Sequence, residues 1–237
     1  MRRPVAFKAD GSLDPSRCVH IVCVGKKGSG KSVMARVIFD SWPGDQLVVD
    51  VNGDMHPGEH WELLHEVPAR WPEHLRRDDR AMTLRYVPDA ASKTFQEDMD
   101  AAVGLAYLHQ GTLLWVDEAG VLAPSNQVPP HTRRALHQGR HRRLSSLWCA
   151  PRPLTMDPLV VAQADLVYVF ELPNPADRRR IADTIGWDPE DFDAATAELG
   201  QHEYLRYDGL AERPAAGEPD RRLLHFPALP RDVARVG

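Results

Sequence analysis

Residues 25–32 read Gly-Lys-Lys-Gly-Ser-Gly-Lys-Ser and stand directly after the run Val19-His20-Ile21-Val22-Cys23-Val24. Few octapeptides restrict a fold so tightly. A G-x-x-x-x-G-K-[ST] pattern between a strand and a helix turns the chain sharply, aims backbone N–H groups inward and adds the positive end of a helix dipole. The helix is also in place, because 32–42 keeps helical spacing. Phosphate is the ligand that fits such a turn. Gly25, Lys26, Lys27, Gly28, Ser29, Gly30, Lys31, Ser32 and Val33 are therefore the expected nucleotide-binding residues. Lys31 is expected to reach the β- and γ-phosphates of ATP, and Ser32 to hold Mg2+.

Beyond this loop, short β-rich runs alternate with helical patterns. Strands are expected at 19–24, 47–51, 82–87, 112–116, 147–150 and 166–170. Helices are expected at 92–109 with Ser92 as N-cap, from about 130 to Arg140, and at 175–185 and 189–199. A loop is read at 120–129, a strand pair near 204–207 and 223–226, and a Pro/Gly/Ala/Glu-rich mobile loop at 211–220. Alternation of this kind predicts βαβ units and a three-layer α/β/α domain with a mostly parallel sheet. The expected division is an N-terminal arm at 1–17, a core at 18–200, and a small C-terminal β element and tail at 201–237.

The apolar run Thr112-Leu113-Leu114-Trp115-Val116 ends in Asp117-Glu118. An acid pair at the end of a buried strand suits phosphoryl transfer from ATP, where metal, lysine and a positioned water carry most of the work. Asp117 is expected to hold Mg2+ through a water, opposite Ser32. Glu118 is expected to orient or deprotonate the attacking water. The plainer alternative makes Glu118 a solvated strand-end residue.

Composition narrows the partners. A net charge of −5 argues against a protein that coats nucleic acid through bulk positive charge, yet it leaves room for a few local basic contacts. No apolar run approaches the roughly 20 residues needed to cross a bilayer. Three cysteines, Cys18, Cys23 and Cys149, make no disulfide framework, so a cytoplasmic setting is expected. Arg133, Arg134, Arg140, Arg142 and Arg143 crowd the stretch 131–143. They read as a solvated face, as phosphate contacts to nucleic acid, or as a source of one arginine acting on a neighbouring subunit's ATP. His137 and His141 have a zinc-compatible spacing, but no third ligand is evident. Residues 50–54 only superficially match a calcium loop, since Met55 stands where that loop needs glycine.

The stretch Gln138-Gly139-Arg140-His141-Arg142-Arg143-Leu144-Ser145-Ser146-Leu147-Trp148-Cys149-Ala150-Pro151-Arg152-Pro153 resembles the post-Walker-B region of the FtsK–HerA superfamily of DNA-pumping ATPases. Asp50, after the second strand, resembles that family's strand-2 ending, and the likeness covers roughly 18–172. It implies a RecA-like fold of the additional-strand class and a homo-oligomeric, ring-shaped ATPase motor that translocates double-stranded DNA. Viral genome packaging is the most concrete version, with capsid or portal vertex proteins as partners and a site in the host cytoplasm or virion. The same resemblance makes Arg140 the catalytic arginine finger, with Arg143 second. One departure stands out: Pro151 occupies the position of the family's polar sensor, and Arg152 is the nearest substitute. Two rival readings are a Zot-like phage assembly or export ATPase and a nucleotide-dependent binding module without turnover.

Overall fold

The structure, a computed structural model, describes residues 17–55, 81–211, 220 and 222–229, together with the backbone of 62–64. Almost all of the expected arm and most of the 211–220 loop lie outside the described residues.

Nine strands form one sheet: β1 (His20–Val24), β2 (Gln46–Val49), β3 (Glu62–Leu64), β4 (Thr83–Tyr86), β5 (Leu113–Val116), β6 (Ser145–Ala150), β7 (Leu166–Val169), β8 (Tyr204–Asp208) and β9 (Leu223–Phe226). Their order is β3-β4-β2-β5-β6-β1-β7-β8-β9. The first seven positions are parallel, and β8 and β9 extend the sheet antiparallel beyond β7. Strand β6 therefore lies between β1 and β5, which is the strand order of the additional-strand class.

Side chains of β1 alternate between two cores. Ile21 and Cys23 pack on one face, and Val22 and Val24 on the other. Both faces are apolar because both are covered, which is why the central strands read as nearly continuous hydrophobic runs. On one face lies α1 (Lys31–Asp40), whose Met34, Ala35, Ile38 and Phe39 form its buried stripe. The other face carries α2 (Phe95–His109), α3 (Ala119–Leu122), α4 (Pro130–Gln138), α5 (Pro158–Ala162), α6 (Pro175–Ile185) and α7 (Pro189–Ala197).

Local chemistry sets the helix ends. Asn174 caps α6 by accepting from the Ala176 N–H, and Asp188 caps α7 by accepting from Glu190 and Asp191. Proline fills the first helical position of each, where no N–H is needed. Three sequence expectations require correction. Helix α2 begins at Phe95 rather than at 92, because the Ser92 hydroxyl accepts the Thr94 N–H and holds a turn in place of a cap. The segment after Asp117-Glu118 is not all loop, since α3 occupies its start. Helix α4 stops at Gln138, and Gly139–Arg142 tighten into a 3-10 turn.

Candidate nucleotide site

The loop after β1 is held at both shoulders. The Gly25 N–H donates to the Ala150 carbonyl at 3.3 Å, and the Lys26 N–H to the Glu171 carbonyl at 2.9 Å. A Cβ on Gly25 would come within 2.6 Å of both Phe170 Cβ and Ser29 Oγ, so only glycine fits there. Gly30 takes φ +107°, a conformation that side chains rarely adopt, at the entry to α1. Among the described residues, no acceptor takes the N–H groups of Lys27, Gly28, Gly30, Lys31 or Ser32. They remain available to a ligand. Lys31 is buried at 8% exposure, and no described residue forms an ion pair or hydrogen bond with it. The Ser29 hydroxyl is buried without a partner. A buried cation, an orphaned hydroxyl and a set of open amides together form a receptor for a polyanion.

Asp117 and Glu118 face this loop from two strands away. In an extended strand consecutive side chains point to opposite faces. Glu118 instead adopts φ 58°, ψ 52°, a left-handed conformation costing on the order of 1 kcal/mol for a residue with a Cβ. The backbone turn puts both acids on one cleft of about 460 Å³, shared with Lys27, Lys31, Ser32, Asp54 and Pro151. Burial, reinforced by the neighbouring Glu118, pushes the Asp117 carboxyl up to about 6, against the pull of Lys31. Oxygens of Asp50, Asp54 and Asp117 can approach within 4.8 Å of one another. Asp50 is fully buried and held by the Arg85 guanidinium and by the N–H groups of Gly53 and Met55. Hard oxygen donors and a carboxylate strained by its neighbours fit Mg2+. Ser32 and Asp117 line the same cleft and could hold it.

A second cavity of about 610 Å³ adjoins the loop on its other side, between Gly30, Val33, Phe170, Gln201, His202 and Leu229. No linear motif marks Gln201, His202 or Leu229, which come from the segments flanking β8 and β9. Sequence reasoning also missed Asp54, whose role depends on the turn after β2.

The structure does not bring Arg140 to this cleft. It lies in the turn before β6, at the opposite edge of the sheet, where its guanidinium pairs with the buried Asp165 at 2.5 Å. Six residues of β6 separate the two edges, a span of about 20 Å. Arg143 is exposed and left-handed at φ 54°. Arg152 turns toward Asp177 on α6 at 3.4 Å and is not among the cleft residues. His137 is on α4 and His141 in the following turn; no three ligating groups converge around them among the described residues.

This is the three-layer P-loop NTPase fold. Solved structures agree. The chain is similar to the genome packaging NTPase B204 from Sulfolobus turreted icosahedral virus 2 in complex with AMPPCP, at 21% identity over 92% of this chain and 100% of that one, with a TM-score of 0.67. It is also similar to B204, the DNA-packaging ATPase from Sulfolobus turreted icosahedral virus, at 19% identity over 92% and 100% of the two chains, with a TM-score of 0.65. Likeness at this identity establishes the fold, the one that the FtsK–HerA resemblance implied. No family model and no curated protein matches the sequence.

Proposed function

We propose that the chain hydrolyses ATP and uses the energy to move double-stranded DNA, in a homo-oligomer of the genome-packaging kind. The observation that carries the reading is the single cleft shared by an unpartnered Lys31 and the paired acids Asp117 and Glu118. Mg2+, when bound, would neutralise charge on the triphosphate. Lys31 and the open amides of the loop hold the triphosphate, and the Ser32 hydroxyl and Asp117 carboxylate would hold the metal. Glu118 aligns a water with the γ-phosphorus and takes its proton. Its kinked backbone serves that aim.

Arg140 fits the arginine-finger role only across a subunit boundary, since its own nucleotide loop is at the far edge of the sheet. Acting there requires release from Asp165. Capsid or portal proteins as docking partners, and a host-cytoplasmic or virion location, follow from the packaging reading. Among the described residues, no helix is long and apolar enough to cross a membrane.

Steady-state hydrolysis with and without duplex DNA tests the proposal. Turnover stimulated by duplex is the expected result, and nucleotide binding with no turnover under either condition would overturn it. Arg140→Ala subunits mixed with wild type should depress activity more than in proportion to their fraction. A strictly proportional loss would remove the trans role.

A further inference from the structure

Charge is segregated along this chain. Residues 119–156 contain six arginines and no Asp or Glu, whereas 181–205 contain seven acids and no Lys or Arg. The fold keeps the two stretches on separate elements. Helix α4 and its 3-10 turn pack on α2, which lies over β2 and β5, while α7 packs on α6 toward the β7–β8 side of the sheet.

Many arginines in the structure answer a carboxylate, namely Arg36, Arg85, Arg140, Arg152, Arg178, Arg179 and Arg222. Arg133, Arg134, Arg142 and Arg143 have no such partner among the described residues. They are not loose. Arg134 and Arg142 lie 4.7 and 5.6 Å from the centroid of the Tyr107 ring, which holds two like charges side by side. Next to Tyr107, Leu108 is 62% exposed. On the other surface, Glu190, Asp191 and Glu198 are exposed and have no cation partner among the described residues.

We propose that the arginine face of α4 and its turn docks on the acidic α7 surface of a second copy of this chain. The proposal rests on the homo-oligomer reading above and names its interface. A self-complementary two-fold contact at either surface would set like charges against each other, so the contact is head to tail. Such a contact leaves one basic and one acidic end open until the assembly closes into a ring. Arginines ordered over a tyrosine ring suit a protein surface, where arginine and aromatic residues are enriched together. A nucleic-acid backbone is disfavoured as the occupant because the chain as a whole is acidic.

Sedimentation velocity of the full chain at low and high salt, with a non-hydrolysable ATP analogue present, tests this. Wild type should associate, less strongly as salt rises. Arg133→Glu/Arg134→Glu/Arg142→Glu should weaken association by on the order of tenfold or more, and so should Glu190→Lys/Asp191→Lys/Glu198→Lys. Mixing the two triple variants should restore assembly, which also shows that both fold. A wild type that stays monomeric throughout defeats the homo-oligomer reading itself. Variants that assemble like wild type leave that reading intact and overturn the interface. Normal assembly combined with lost retention of a labelled DNA duplex by the arginine variant would give this face to nucleic acid, and overturns the proposal equally.

Discussion

Strands β1 and β6 carry polar groups at both of their ends, and the two ends are built in opposite ways. At the N-terminal end most of the groups satisfy one another, and His20 Nε2 is the exception, buried without a partner among the described residues. His20 Nδ1 lies 2.6 Å from Ser146 Oγ, which also accepts from Trp148 Nε1 at 2.7 Å. Asp165 accepts from the His20 N–H at 2.9 Å and pairs with Arg140. At the C-terminal end Lys31 and Ser29 are buried without partners among the described residues, Glu118 is held in a left-handed conformation, and acids crowd Asp117. One end is largely closed within the chain, and the other is left open to a ligand. Costs of this kind cluster at functional sites.

Five single substitutions, and one compensating pair, probe that contrast, the largest effect first. Asp50 is the buried carboxylate of the C-terminal end that the chain pairs with a cation, Arg85, among the described residues. Arg85→Ala should cost about 3–5 kcal/mol in urea unfolding, because it leaves a buried uncompensated charge. Asp50→Asn with Arg85→Met should recover most of the loss, and a single-variant cost below about 1 kcal/mol would show that the ion pair is not holding the turn.

His20 probes the closed end. Burial first, and then Arg140, lower its pKa from 6.5 to about 4. The unfolded chain then binds more protons than the native one between those values, so stability is full above about 6.5 and falls as the pH drops toward 4. The total is about 3 kcal/mol. Asp117, raised from 3.8 to about 6, works in the opposite direction over the same window. Thermal melts of wild type against His20→Asn separate the two, and an unchanged difference between pH 7 and pH 4.5 would refute the assignment to His20.

Glu118 probes the open end twice. Glu118→Gln should leave nucleotide binding intact and cut turnover by at least about a hundredfold, or about 2.7 kcal/mol. Glu118→Gly should abolish turnover yet raise stability by about 0.5–1 kcal/mol, since glycine relieves the left-handed backbone. A destabilised glycine variant would mean that the kink is not strained. Glu171→Gln breaks the exposed pair with Lys26 and should change stability by less than about 0.5 kcal/mol, as chemical denaturation would show.

The sequence made legible what is encoded over short distances. The phosphate loop is contiguous and its neighbours are a strand and a helix, so Gly25–Val33 could be placed without coordinates. Helices α6 and α7 read correctly because each begins with a capping side chain followed by proline. Helix α2 did not, because Ser92 spends its hydroxyl on a local turn. Sheet order depends on crossovers that no local pattern fixes, whereas the β8–β9 pair was legible as two short strand runs. The cleft was half legible: Asp117 and Glu118 follow a visible buried strand, but Asp54, Gln201 and His202 reach the loop only through tertiary folding. Arg140 could be named from its motif, whereas its distance from its own nucleotide loop could not.

Strand β6 has a mechanical consequence. Its six residues are laced to β5 on one side and to β1 on the other, which makes it a strut without slack. The Arg140 turn at one tip and Pro151 at the other cannot drift apart unless rungs are torn from two ladders. A displacement applied at the arginine-bearing tip would therefore move Pro151, which lines the same cleft as the acid pair, together with the whole strand, a segment that has no charged residue of its own.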